Sequence, residues 1–348
     1  MAVQNNASVS SNGEYAIQVQ DLSKYYGPYQ ALKNLTFHVK RGEVLGFLGP
    51  NGAGKTTTMR ILTGYMPASS GVVRVAGFDT FTQSLKARER VGYLPENTPL
   101  YHDMSVSDYL SFCARLHHVK DVANAVGYAM EMVSISDRAE QLIGKLSKGY
   151  RQRVGIAQAI VHEPDVLVLD EPTIGLDPKQ IIEVRELIKE LGKEHTIILS
   201  THILPEVSQV CSRVLIINQG EIVAEDTPEG LTTRMRGAER VHLQVAKANP
   251  EIPDALKKIP NVLHVSPGKD ETTFIVETEL NTDHRADMAA LAVQRGWGLL
   301  ELRPVHMSLE EVFLKLTTTE EEVYDEEEAL SNEDEDLDDT AEAQAADM

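Results

Sequence analysis

The chain has 348 residues, 42% of them hydrophobic, and a formal net charge of −20 from 33 basic and 53 acidic residues. That length suggests about two domains, and the composition is that of a globular chain with a proper core. Fifteen acidic residues fall between Glu320 and Met348 with no Lys or Arg among them, so the body is only mildly acidic. Neither part offers the basic face that non-specific nucleic-acid binding needs, and no nucleic-acid partner is expected. Cys113 and Cys211 lack metal-ligand spacing and read as reduced thiols in a cytosolic protein. No apolar run approaches the roughly 18 residues of a membrane span. The first basic residue is Lys24, so no signal peptide is expected.

Residues 1–14, rich in Asn, Ser and Gly, are expected to be disordered. Tyr15–Gln20 alternates apolar and polar residues, which predicts a half-buried strand. Leu22–Gly27 reads as a turn presenting two aromatics, and Leu35–Val39 as a second strand. The apolar run Val44–Leu48 predicts a buried strand, and Thr57–Leu62 a helix start. Further strands are expected at Gly71–Gly77 and Val91–Pro95. Ser105–His117 reads as a helix opened by a capping box of Ser105 and Asp108. With a second run over Ala123–Val133, residues 100–160 form a mostly helical insertion.

Leu146-Ser-Lys-Gly-Tyr-Arg-Gln-Arg153 leads into a helical run from Val154. Val166–Glu171 is an apolar strand ending in two carboxylates, followed by a tight loop to Asp177 and an amphipathic helix over Gln180–Leu191. A core strand, Thr196–Ser200, ends at Thr201 and His202, and a hairpin spans Gln219-Gly220. Strands alternating with helices predict a largely parallel central sheet, with an antiparallel sheet at its flank. The pattern breaks near 226–240. From 240 to 317 the order β-α-β-β-α-β predicts a ferredoxin-like domain. The acidic segment 318–348 cannot bury enough apolar surface to fold alone.

Between the third strand and the first helix stands Gly49-Pro-Asn-Gly-Ala-Gly-Lys-Thr-Thr-Thr58, which fits G-x-x-x-x-G-K-[ST]. Its glycines let backbone N–H groups face phosphate oxygens, and the helix behind adds partial positive charge. Lys55 would reach the outer phosphates and the Thr56 hydroxyl would coordinate Mg²⁺. Asp170, at the end of its strand, would hold Mg²⁺ through water. Glu171 is the candidate general base that polarises the attacking water. His202 is placed to hydrogen-bond a γ-phosphate.

Together these motifs resemble the ATP-binding cassette family, the nucleotide-binding subunits of ABC transporters, over residues 15–235. The resemblance implies an α/β fold: a P-loop NTPase cassette with a mixed sheet core, an antiparallel β subdomain and the helical insertion, followed by the small α+β domain over 240–317. It makes Tyr26 the aromatic stacked on adenine, Gly49 to Thr57 (with Pro50, Asn51, Gly52, Ala53 and Gly54) the Walker A loop, and Asp170 and Glu171 the end of Walker B. His202 becomes the switch histidine, and Asp177 lies in the loop that touches a partner subunit. The signature Leu-Ser-Gly-Gly-Gln stands here as Leu146-Ser-Lys-Gly-Tyr150. Ser147, Lys148, Gly149 and Tyr150 would act on the partner's ATP. Glu96 occupies the sensing loop where the family carries glutamine, and is a further Mg²⁺ candidate.

Tyr-Leu-Pro-Glu-Asn97, Leu-Ser-Lys-Gly-Tyr-Arg-Gln-Arg153 and Ser308-Leu-Glu-Glu-Val-Phe-Leu314 resemble the exporter branch related to gliding-motility, multidrug and antibiotic-resistance ATPases. That branch implies ATP and Mg²⁺ as cofactors, a second ATPase subunit completing each site, and a separate membrane permease. The expected location is cytoplasmic, attached to the inner face of the membrane through that permease. A soluble cassette acting as a regulatory or ribosome- or DNA-associated switch is the alternative reading.

Overall fold

The computed structural model describes residues 14–234, 239–268, 270–279, 282–305 and 308–317; the expectations for the first thirteen residues and for 318–348 lie outside them. The chain begins with β1 Tyr15–Tyr26, β2 Tyr29–Lys40, β3 Val44–Leu48, α1 Lys55–Leu62, β4 Ser70–Val75, β5 Phe78–Asp79, α2 Ser84–Arg88 and β6 Val91–Leu94. The insertion follows as α3 Val106–Leu116, α4 Val122–Met132 and α5 Lys148–Ile160. Next come β7 Val166–Asp170, α6 Pro178–Leu191, β8 Thr196–Thr201, α7 Leu204–Val210, β9 Arg213–Asn218, β10 Glu221–Asp226 and α8 Pro228–Arg234. The last elements are β11 Glu239–Val245, α9 Ile252–Leu256, β12 Val262–Pro267, β13 Thr273–Thr278, α10 Arg285–Gln294, β14 Leu299–Val305 and α11 Leu309–Thr317.

The central sheet has the order β10-β9-β3-β8-β7-β6. Only the β9–β10 hairpin pairs antiparallel in it; the strands from β9 to β6 pair parallel. β7 and β8 are buried at every residue, the pattern of strands covered on both faces. A second, antiparallel sheet has the order β2-β1-β4-β5. Its inward residues Ile17, Val19, Leu35 and Val39 join Phe47, Met59, Ile61 and Leu62 in one core, which seats α1 between the two sheets. At about 25 cal/mol per Å², burial of such side chains is worth about 1.5–3 kcal/mol each.

Three local expectations are corrected. Leu22–Gly27 is not a turn: β1 continues to Tyr26, which pairs with Tyr29 across a tight Gly27-Pro28 turn. The polar pair Gln20-Asp21 marks an irregularity in register, with Asp21 at φ 49, after which Leu22 and Ser23 are buried again. The helix expected from Val154 starts at Lys148, because the Ser147 hydroxyl caps it by accepting from the Tyr150 N–H at 3.4 Å. α6 likewise starts two residues early, with Asp177 as cap and Pro178 in the first turn.

The chain divides into two compact units between Pro228 and Glu229, a few residues before the expected boundary. Glu229–Lys315 forms the second unit, while Leu316 and Thr317 belong to the first. The second unit carries a four-stranded antiparallel sheet of order β12-β13-β11-β14. That order with two helical crossovers is the ferredoxin-like topology. Val241, Leu243, Phe274, Val276, Met288 and Trp297 fill its own core.

Two glycines test the packing of the insertion in opposite directions. A Cβ on Gly92 of β6 would lie 2.0 Å from the Ala159 carbonyl oxygen of α5. Gly92→Ala should therefore force strand and helix apart and lower the urea midpoint by an amount equivalent to roughly 1–3 kcal/mol. A Cβ on Gly127 of α4 meets nothing within 4 Å. Gly127→Ala should raise the midpoint, by up to about 1 kcal/mol. Equal effects of the two changes would contradict this packing.

Candidate functional site

Five sequence-predicted groups converge because their strands are neighbours. β3, β8, β7 and β6 run parallel in that order. Their carboxyl ends release, respectively, the Gly49–Thr57 loop, His202, the Asp170–Glu171 pair and Glu96. Open α/β sheets bind ligands at this edge. The loop, Glu96, Glu171 and His202 line one open cleft of about 610 Å³, with Tyr26 and Tyr29 at its mouth. That volume lies in the range of small-molecule sites.

The loop is held tightly to the sheet. A Cβ on Gly49 would lie 2.4 Å from the Ile217 carbonyl oxygen, so only glycine lets the backbone pass β9. Gly54 caps α1 at φ 108, a conformation that favours glycine. Lys55 folds back over the loop. Its Nζ donates to the carbonyl oxygens of Gly49 at 2.7 Å and Pro50 at 3.1 Å, and lies 3.7 Å from Glu171 Oε1. Burial lowers the Lys55 pKa from the ordinary ammonium value, against the attraction of Glu171 and Asp170.

Asp170 is fully buried, and among the described residues neither of its carboxylate oxygens has a hydrogen-bond partner. Burial raises its pKa, although the nearby Ser200 and Thr56 hydroxyls favour the ionised form. Among the described residues the buried Ser200 hydroxyl has no partner at hydrogen-bond geometry, although it lies close enough to Asp170 to favour its ionised form. Buried polar groups are normally satisfied, so this cluster is built for something more than fold stability. Unpartnered carboxylate and hydroxyl oxygens are the donors that a hard cation such as Mg²⁺ takes. Among the described residues no group of three or more His, Cys, Asp or Glu could hold a metal alone. The residues present therefore fit an ion that draws its remaining ligands from phosphate and water.

Glu171 sits at φ 50, the left-handed region, with its N–H donating to the Ser200 carbonyl at 2.9 Å. For a residue with a side chain this costs on the order of 1 kcal/mol. The twist lets its carboxylate reach a different place from that of adjacent Asp170. His202 Nδ1 lies 2.9 and 3.0 Å from its two oxygens, so the ring nitrogen donates to the carboxylate. Glu206 accepts from the Thr173 hydroxyl and, at 3.2 Å, from the Thr201 hydroxyl. It thereby ties the loop after Glu171 to the residue before His202. Nothing in the spacing of Glu206 signalled that, since an acid in a helical first turn is ordinary. Tyr29 was also missed, because its place opposite Tyr26 depends on the hairpin.

The signature residues are not in this cleft. Gly149 and Tyr150 border a different cavity beside α6, and Asp177 is exposed. Ser147 stands at the start of α5 with Lys148, whose Nζ lies over Gly175 of the loop after β7. The Gln152 side chain donates to the Pro172 carbonyl at 2.7 Å, which links α5 to the residue after Glu171. Arg138 stacks over the Tyr150 ring at 5.3 Å.

A strand, a glycine loop with Lys55 and Thr56, a helix behind it and Asp170 at the neighbouring sheet edge define a P-loop nucleoside triphosphatase. Residues 32–174 match the ABC transporter family. The chain is 30% identical over 304 residues to the linearmycin resistance ATP-binding protein LnrL of Bacillus subtilis, covering 86% of this chain and 98% of that one. It is 33% identical to the bacitracin transport ATP-binding protein BcrA of Bacillus licheniformis, covering 86% and 96%. Among solved structures, an ATP-binding subunit of an ABC transporter is 30% identical with a TM-score of 0.59, covering 64% of this chain and 95% of that one. The dimeric cassette MJ0796 shares the fold at 23% identity, TM-score 0.56, over 61% and 98%. The chain belongs to the ATP-binding subunits of ABC transporters and is an ATPase of that family.

Asp170→Asn keeps the shape and removes a buried, unpartnered charge. The nucleotide-free protein should melt higher, by roughly 2–4 °C. The further rise on adding ATP with Mg²⁺ should be lost, as read by thermal scans with and without both. A lower melting point together with an undiminished response to MgATP would contradict the assignment.

Proposed function

We propose that this chain drives a separate transmembrane permease by ATP-dependent closure of two cassettes, and that the transport is export. The observation that carries the reading is the split between two sets of residues. Those suited to hold nucleotide line one cleft, while Ser147, Gly149 and Asp177 lie outside it. A second copy packed head to tail would bring its α5 N-terminus, with Ser147 and Gly149, to the phosphates held by the first. No helix among the described residues is long and apolar enough to cross a membrane, and in this reading a separate permease supplies the span. Export is supported by the relatives' names: bacitracin transport, daunorubicin resistance and Nod factor export.

The roles follow from placement. Tyr26 stacks on the base, and the loop N–H groups and Lys55 hold the phosphates. Lys55 must leave the Gly49 and Pro50 carbonyls to do so. Thr56 and Asp170, with Glu96 at the rim, would hold Mg²⁺, which would neutralise charge on the phosphate oxygens. Glu171 takes the proton of the attacking water, and His202, released from Glu171, donates to the γ-phosphate. Asp177 contacts the partner.

The alternative, a soluble switch, predicts nucleotide binding without turnover. Glu171→Gln distinguishes them. Its steady-state ATPase rate should fall about 10²- to 10⁴-fold while ATP binding persists. Wild-type turnover in that variant would remove Glu171 from the role of base. Co-purification with a polytopic membrane protein in detergent tests the permease directly.

A further inference from the structure

The last described residue, Thr317, lies beside the phosphate loop. Thr317 belongs to the same compact unit as that loop. The Asn218 side chain donates to the Thr317 carbonyl at 3.2 Å. Asn218 ends β9, and two residues later the Gly220 N–H donates to the Ala53 carbonyl at 3.0 Å. Thr317 thus borders a recess of about 430 Å³ together with Tyr29, Lys33, Asn51, Gly52 and Gln219. Tyr29, Asn51 and Gly52 also line the nucleotide cleft.

We propose that the acidic segment beginning at Glu320 docks in this recess of its own chain and competes there with the phosphates of ATP. Thr317 itself borders the recess and Glu320 is three residues on, a span of at most about 10 Å, so the acids from Glu320 onward can reach the loop. The surface they meet suits anions. The loop's N–H groups and the start of α1 attract negative charge, whether carboxylate or phosphate. The Lys33 ammonium pairs with Glu221 at 3.1 Å, with both side chains a third or more exposed, the kind of pair that contributes little and exchanges readily. The 15 acidic residues from Glu320 onward, with no Lys or Arg, keep carboxylates at high local concentration after any one of them leaves. ATP then binds only by displacing them, which raises the nucleotide level needed to load the site.

The inference rests on the loop being the ATP cradle, and one part of its test does not. Gln219→Cys with Glu321→Cys in the full chain places one thiol at the recess and one on the segment. The native Cys113 and Cys211 are buried. Mild oxidation of the nucleotide-free protein should form an intrachain disulfide, and ATP should slow it several-fold. In parallel, deletion of residues 320–348 should lower the Kd for a fluorescent ATP analogue by roughly 3- to 10-fold at low salt. The gap should close near 1 M salt, where charges are screened beyond about 3 Å. Absence of the disulfide, a disulfide formed only between chains, or one that ATP does not slow would overturn the proposal. Equal nucleotide affinity of the two chains at low salt would overturn it as well. Failure of the truncated chain to bind nucleotide at all would overturn both this proposal and the ATP reading of the loop.

Discussion

The architecture depends on one electrostatic constraint: a cradle for several negative charges must be assembled within hydrogen-bond reach of two carboxylates. The cradle is the loop from Gly49 to Thr57, and the carboxylates are Asp170 and Glu171. Lys55 mediates between them, held at once to the loop's own carbonyls and 3.7 Å from Glu171. Burial disfavours charge on Lys55 and on Asp170 alike. Such an arrangement is poised rather than satisfied. The two unpartnered oxygens of Asp170 and the unpartnered Ser200 hydroxyl are what an ion and a phosphate would complete.

The fold exists to hold that arrangement at the sheet edge. Four neighbouring parallel strands deliver the loop, His202, Asp170–Glu171 and Glu96 side by side. The left-handed backbone at Glu171 separates the directions of two adjacent acids. Glu206 fixes the loops on either side through Thr173 and Thr201. In the proposed mechanism, the hydrogen bond between His202 and Glu171 holds the two together until a γ-phosphate offers His202 a better acceptor. Strain and unsatisfied polarity at one site are tolerated because the surrounding core over-determines the backbone.

Much of this was legible in the sequence. Val44–Leu48, Val166–Leu169 and Ile197–Leu199 are short apolar runs, the pattern expected of buried parallel strands. The loop and Asp170–Glu171 are legible because phosphate chemistry dictates residue type and spacing. The β-α-β-β-α-β order of the second unit survived because turns and periodicity mark each element. What failed did so for lack of long-range information. Gln20-Asp21 looked like the end of a strand, and only pairing with β2 and β4 carries β1 through it. The start of α5 was set late because Lys148-Gly-Tyr has no helical periodicity, whereas the Ser147 cap decides it. Tyr29 and Glu206 act only through neighbours distant in sequence.

Ser147, Gly149 and Asp177 are the residues that the fold leaves outside the cleft, and in the proposed function they make the phosphate loop half of a catalytic site. The most direct measurement is ATPase activity per chain across a wide range of protein concentration, paired with sedimentation at each point. If two chains build each site, activity per chain should rise with concentration and follow the ATP-bound dimer. Constant activity per chain, down to concentrations where the ATP-bound protein sediments as a monomer, would contradict the account.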